Sequence, residues 1–348
     1  MAPVHRVRGD RAHDGGRGRG PALGYALGVR ALLSGAEGFV GQWLCRELVA
    51  AGWEVFGGVA ALTEPFQTPV LGPAERDAVR WVPLDVRRAD ELEGAVTAAR
   101  PEVIFHLAGV TFVPSAADDP GTAVDVNVGG AARLLGVVAR RRRAGDLDPT
   151  LVIIGSAEQY GRHDDVGRLD EDRPMRPFTV YAATKVAQEA FAMQAHRADA
   201  VRVVATRSFN HSGPGQHAQF LLPALVRRAL ALRSAAQHTL RLGNTAAVRD
   251  FLHVEDVVRA YRLLAEVGVP GTVYNVCSGE GASVDALARL VLQRAHVDAE
   301  LATDATLVRP VDVPRLVGDP TRLRATTGWV PTRSREDIID DLINAAAS

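Results

Sequence analysis

Lys185 is the only lysine in a chain whose lysines and arginines together number 40, and it stands four residues after Tyr181 in Tyr181-Ala182-Ala183-Thr184-Lys185. A sequence that uses arginine for almost every cation has kept an ammonium here. A guanidinium does not release its proton, and its planar fork cannot replace a compact head on a flexible stem. Positions i and i+4 share a helix face, so the phenol and the ammonium can meet in one site. An ammonium beside a phenol favours the phenolate. The spacing therefore predicts a tyrosine with its pKa drawn down, able to give and take a proton near neutral pH.

A second reactive group lies in Gly155-Ser156-Ala157-Glu158-Gln159-Tyr160-Gly161, directly after an apolar run that reads as a strand over residues 151–155. Open parallel sheets take their ligands at such strand ends. Ser156 is placed to hydrogen-bond a substrate carbonyl while Tyr181 delivers a proton. Glu158 adds a carboxylate, either an acid–base group or a salt-bridged surface acid.

Gly35, Gly38 and Gly41 follow a strand-like run at residues 29–34 and open an amphipathic helix. Glycines at this spacing let the backbone turn tightly and let a pyrophosphate rest on a helix N-terminus. Gly35, Glu37, Gly38, Phe39, Val40 and Gly41 are therefore the first candidate contacts of a dinucleotide. Glu37 is expected to point outward, away from a phosphate. Such sites usually carry an acid at the end of the second strand for the ribose, or an arginine for a ribose phosphate. Gly57-Gly58-Val59-Ala60 offers neither, so NAD and NADP are not distinguished. Asp85, with Val86, is placed to reach an adenine ring. Leu107, Ala108 and Gly109 leave room for the cofactor at the end of the fourth strand, and Asn127 reads as a structural bridge. Farther on, the amide of Asn210 and the forks of Arg249 and Arg309 suit a diphosphate.

These residues need a scaffold, and the rest of the pattern supplies one. Strands are expected near residues 29–34, 54–59, 79–84, 103–107, 151–155 and 202–208. Helices are expected at 40–51, 89–99, 122–138 and 181–195. This alternation predicts an α/β, Rossmann-type, doubly wound parallel sheet. Residues 29–208 read mainly as a dinucleotide-binding domain, and 209–348 mainly as a smaller mixed α/β substrate lobe. Residues 1–28 are rich in arginine and glycine and read as a disordered extension.

The chain has 348 residues, a formal net charge of −1 and 47% hydrophobic residues, and no apolar run of about 18 residues. Balanced charge argues against nucleic acid as a partner, and no membrane span is expected. The cluster Arg140–Arg143 reads as the solvated last turn of a helix. Ten histidines show no metal-ligand spacing, and two isolated cysteines, Cys45 and Cys277, suit a buried role in a reducing, cytoplasmic setting.

The glycine turn, His106-Leu107-Ala108, Tyr181-x-x-x-Lys185, Arg207-x-Phe209-Asn210-x-x-Gly213-Pro214 and Arg249-Asp250-Phe251-x-His253-Val254-x-Asp256 resemble, in this order, an extended short-chain dehydrogenase/reductase of the NAD-dependent epimerase/dehydratase family. Within it, Arg207 to Gln216, Val273 to Gly279 and the tail from Arg309-Pro310 to Thr327-Gly328-Trp329 resemble GDP-4-keto-6-deoxy-D-mannose reductases. The resemblance implies an NAD(P)(H) cofactor and Ser156, Tyr181 and Lys185 as a triad, with Glu158 beside it. It also implies a GDP-linked sugar held by Asn210, Arg249 and Arg309, with Thr111, Val113 and Gly243 as further contacts, and a homodimer or homotetramer. GDP-mannose 4,6-dehydratase and nucleotide-sugar 4-epimerase are the alternatives. The dehydratase needs a base and an acid beyond the tyrosine, and Ala157 occupies the place where the second group would stand.

Overall fold

The computed structural model describes residues 28–61, 70–163, 167–234, 238–307 and 313–347. The expected alternation is present: β1 (Arg30–Ser34), β2 (Glu54–Val59), β3 (Val79–Pro83), β4 (Val103–His106), β5 (Thr150–Ser156) and β6 (Arg202–Ser208), with helices between them. Then come β7 (Asn210–Ser212), β8 (Thr239–Leu242), β9 (Val248–His253), β10 (Thr272–Val276), β11 (Gly281–Ser283), β12 (Glu300–Thr303) and β13 (Arg315–Leu316).

Seven strands form one all-parallel sheet in the order β10-β6-β5-β4-β1-β2-β3. The order reverses between β1 and β4, which opens a crevice at the strands' C-terminal ends. Successive residues of a strand face opposite sides, and both sides are buried. Leu32, Ile104, Leu151 and Val203 pack with Leu92, Leu134 and Val138 from helices on one face. Leu33, Phe105, Val152 and Val204 pack with Trp43, Leu44 and Leu264 on the other. A third core, with Leu225, Leu240, Val291 and Ile339, belongs to the smaller strand sets β7/β9/β11/β13 and β8/β12. The chain does not stay in that lobe, since β10 returns to the edge of the large sheet.

One element differs from expectation. Instead of a single helix over residues 122–138, the chain forms Val113–Asp118, Pro120–Val124, a π-helical turn at Asp125–Gly129, and Gly130–Arg143. Proline at the first helical position begins the second piece. The wide turn carries Asn127, which bonds the backbone of Val110 in both directions. A Cβ at Gly130 would lie 2.7 Å from Val86, so this helix passes too close to the β3 end for a side chain.

Among the described residues, the stretch Pro120–Arg143 alone is long and apolar enough to cross a membrane. Its Leu134, Leu135, Val137 and Val138 are packed on the sheet. Its last turn is held by ion pairs, Arg140 and Arg141 to Glu93 and Arg142 to Asp148, as befits a core helix with a wet end. Cys45 and Cys277 are unpaired and buried, and burial pushes both thiols up, away from nucleophilic character.

Candidate active site

A cleft of about 970 Å³ opens at the C-terminal ends of β1, β4 and β5. Its wall is formed by Gly35, Glu37, Gly38, Phe39, Val40 and Gly41 from the first turn, and by Asp85 and Val86 beyond β3. Leu107, Ala108, Gly109, Thr111 and Val113 follow β4, and Ser156, Glu158, Tyr181 and Lys185 stand beside them. Asn210, Gly243 and Arg249 complete it. Arg309 lies outside the described residues. Its described neighbours Leu307 and Val313 both line the cleft.

Tyr181 opens the helix Val180–Asp199, whose first turn is capped by Thr179 accepting from the Ala182 N–H at 3.0 Å. Its ring sits in a small apolar cluster with Ala116 and Ala123. Asn127 donates to Thr184 Oγ1 at 2.9 Å, and Thr184 donates to the Tyr181 carbonyl at 2.7 Å, so the π turn fixes the start of this helix. One turn on, Lys185 is 3% exposed and donates to Ile154 O and Gln188 Oε1, each at 2.8 Å. An ammonium has three donors, so these two leave one for a ligand.

The electrostatics correct the sequence expectation. Burial pushes the Tyr181 phenol up to about 12, against a hydrogen bond from Ser156 that lowers it, while Glu158 raises it further. Lys185 does not draw it down, because its head is engaged with the end of β5. Burial instead brings Lys185 itself down to about 8. At neutral pH the pair is a protonated phenol and an ammonium, which is the state that gives a proton.

Beneath Ser156 lies a buried network not singled out from the sequence. The Ser156 N–H donates to Gln159 Oε1 at 2.8 Å, and Gln159 Nε2 donates to Glu189 at 2.8 Å. Glu189 takes a two-pronged ion pair from Arg207 at 2.9 and 2.7 Å. The Arg207 guanidinium also lies 4.8 Å over the Tyr160 ring, and the Tyr160 hydroxyl donates to Asn275 at 2.7 Å. The signal available was Glu189 itself, an acid one turn past Lys185 on a helix face that must be buried.

At the other end the glycine turn fits a dinucleotide. A Cβ on Gly35 would sit 2.8 Å from Ala108 N, and one on Gly41 2.3 Å from Gly35 O, so only glycine lets these segments touch. Gly35 also has a φ of +71°. Asp85 is held by Arg87 at 2.6–3.1 Å, and that hydrogen bond lowers its pKa despite partial burial. Glu37 does not point outward. Its Oε1 accepts from the Ala60 N–H at 3.2 Å, beside the end of β2, and its Oε2 is buried with no hydrogen-bond partner among the described residues. An unmet buried acceptor beside the glycine turn fits the ribose of a dinucleotide.

The sugar end is built differently. Asn210 begins β7 and Arg249 lies in β9, two paired strands of the smaller lobe. Arg228 lines the same end and escaped the sequence reading. It falls on the stripe Leu221, Ala224, Leu225, Arg228, all facing the cleft, and that helical spacing was the available clue. The neighbours of Arg249 in the Arg249–Asp256 motif are architectural. Asp250 accepts from the N–H groups of Ser278 and Gly279, and Asp256 from those of Thr332 and Arg333. His253 caps a helix through Glu255 N. Trp43 Nε1 donates to Pro214 O at 3.0 Å, tying the cofactor helix to the sugar-side loop.

A parallel sheet with a glycine turn after β1, and a Ser/Tyr/Lys group between β5 and the next helix, defines an extended short-chain dehydrogenase/reductase that works with NAD(P)(H). Comparison with known proteins narrows the class. The family model described as GDP-mannose 4,6 dehydratase matches residues 32–342, and the chain belongs to that family. It is 32% identical over 306 residues to the GDP-6-deoxy-D-mannose reductase of Pseudomonas aeruginosa, covering 87% of this chain and 92% of that one. The structure of RMD from Pseudomonas aeruginosa complexed with NADPH superposes with a TM-score of 0.75 at 28% identity, covering 91% of this chain and 98% of that chain. The Thermus thermophilus UDP-glucose 4-epimerase complex with NAD gives 0.79 at 26% identity, over 92% and 99%.

Proposed function

We propose that the protein reduces the 4-keto group of a GDP-4-keto-6-deoxy-hexose, giving a GDP-6-deoxy-hexose such as GDP-D-rhamnose. The observation that carries this reading is the small set of carboxylates in the cleft. Among the described residues lining it, the carboxylates are Glu37, Asp85 and Glu158, and the first two stand at the glycine-turn end. Reduction needs no more than the sugar end offers. The bound dinucleotide supplies a hydride to the keto carbon. Ser156 donates a hydrogen bond to the keto oxygen, and Tyr181 gives it a proton, leaving an alcohol. Lys185 uses its remaining N–H to hold the nicotinamide ribose and its charge to stabilise the tyrosinate left behind. Asn210 and Arg249, with Arg228 and Arg309, hold the diphosphate. The similarity to a GDP-6-deoxy-D-mannose reductase supports the choice of sugar.

The dehydratase is the second reading, and the observation that favours it is Glu158, close enough to Tyr181 to raise the phenol's pKa. Dehydration also requires a group to protonate the departing hydroxyl. Ala157 offers a methyl buried in a cluster with Tyr160 and Phe209. The test incubates the protein separately with GDP-mannose, and with its 4-keto-6-deoxy derivative plus NADH or NADPH. Stoichiometric cofactor oxidation with the keto sugar, and only a modest loss in Glu158→Gln, is expected. Dehydration of GDP-mannose without net cofactor use, abolished in Glu158→Gln, would make the dehydratase correct.

A cytoplasmic homodimer or homotetramer belongs to the same reading. The oligomeric state is checked by sedimentation.

A further inference from the structure

We infer that Glu37 takes the place of the acid missing at the end of β2, receiving the adenosine ribose hydroxyls of the dinucleotide and making the site selective for NAD(H) over NADP(H). In Rossmann-type folds that ribose is gripped from the end of the second strand, by an acid for NAD or near an arginine for the 2′-phosphate of NADP. Here that strand ends in Gly57-Gly58-Val59-Ala60. The carboxylate arrives from the neighbouring glycine turn. The Ala36 N–H donates to Gly58 O at 3.0 Å, which pins the turn to β2. The Glu37 side chain then reaches along the strand end to the Ala60 N–H at 3.2 Å.

This carboxylate is poised rather than satisfied. Its Oε2 is buried without a hydrogen-bond partner among the described residues, while the residue lines the cleft. A buried unpaired acceptor is costly unless a donor arrives, and a turn of the side chain into the cleft gives Oε2 a ribose hydroxyl as that donor. The backbone below it is fixed. Gln42 donates to the Glu37 carbonyl at 2.9 Å and accepts from the Val70 N–H at 2.7 Å.

The cations nearby do not reverse the preference. Arg87, which lines the same end, is held by both oxygens of Asp85. Arg46 is held by Glu75 and Val70 O. A 2′-phosphate would bring two negative charges against the carboxylate with no uncommitted guanidinium among these to offset them. The inference sets this chain apart from the related reductase structure that holds NADPH.

The inference rests on the dinucleotide site and not on which sugar is reduced, so its test uses fragments lacking both nicotinamide and sugar substrate. Calorimetric titration compares ADP-ribose with 2′-phospho-ADP-ribose. The wild type is expected to bind ADP-ribose at least about ten-fold tighter. Glu37→Gln is expected to weaken ADP-ribose about ten-fold and bring the two ligands to near-equal affinity. Glu37→Asp, which keeps the charge but withdraws it by a methylene, should fall between, and supplies the comparison should the Gln variant not fold. Equal or tighter binding of the 2′-phosphorylated fragment by the wild type, or an unchanged ratio in Glu37→Gln, would overturn the inference. Neither result bears on whether the keto sugar is reduced.

Discussion

At its glycine-turn end the cleft presents mostly main chain. Gly35, Gly41 and Ala108 come so close that a single Cβ would force them apart. At its sugar end it presents side chains, Asn210, Arg228 and Arg249, carried on a helix and on short strands of the smaller lobe. Backbone recognition suits a ligand part that never changes, since a diphosphate on a helix N-terminus needs N–H groups and room. Side-chain recognition suits a part that distinguishes relatives, because a substitution there alters the partner without disturbing the sheet. Between the two stands Tyr181, held by the π turn and by the buried network under Ser156.

The division can be broken from the middle outward. Tyr181→Phe removes the proton donor shared by both ends. It is expected to lower kcat about 1,000-fold while leaving dinucleotide affinity nearly unchanged, read by single-turnover kinetics and NADH titration. Loss of binding instead would show that Tyr181 holds the ligand rather than serving the chemistry. Gly41→Ala attacks the main-chain end alone. The added methyl, 2.3 Å from Gly35 O, must open the turn. At about 1–3 kcal/mol of strain, dinucleotide binding weakens about 5- to 150-fold, and GDP binding is untouched. Arg249→Ala attacks the other end. KM for the sugar nucleotide should rise about ten-fold with little change in kcat or in dinucleotide affinity. An equal effect of either variant on both ligands would dissolve the distinction.

The smallest expected effect is a pH dependence. Lys185 loses its proton near pH 8, brought down from the ordinary lysine value of 10.5 by burial. Reduction should therefore be level from about pH 6 to 7.5 and decline above pH 8 as the ammonium is lost. Stability should move the opposite way. Between about pH 8 and 10 the unfolded chain still holds this proton and the folded chain does not, so this group's contribution to ΔG of unfolding rises with pH. Urea melts alongside the pH–rate profile would separate the two, and a parallel fall of both would place the titration elsewhere.

The main-chain end was largely legible in the sequence, because a requirement for no side chain admits one residue type. The glycine turn, the small residues after β4 and the lone lysine each answer a demand few residues can meet. Other features depend on the assembled fold. Whether Glu37 turns out or in is decided by where β2 ends, three-dimensional information that a turn of seven residues lacks. The Arg249–Asp256 motif resembles one binding unit, yet Asp250, His253 and Asp256 are turned to neighbouring backbone and side chains of the lobe: Asp250 to Ser278 and Gly279, His253 to Glu255 N and the Asp341 carboxylate, and Asp256 to Thr332, Arg333 and Arg259. The sign of the Tyr181 shift was misread because spacing shows that two heads share a face, not which carbonyl the ammonium prefers. Arg228 was passed over because one arginine among many is informative only once its helix has a known inner face.

Having a single lysine, buried at 3% exposure, gives the protein an unusual chemical address. Apart from the α-amino group of the chain, an amine-directed reagent finds one side-chain target, and it lies at the bottom of the cleft. With a pKa of about 8 that amine is substantially unprotonated in mildly alkaline buffer, so access rather than protonation governs its acylation. The rate of labelling becomes a clock for the opening of the cleft, and its slowing by added nucleotide becomes a binding assay that needs no chromophore, no turnover and no knowledge of the sugar.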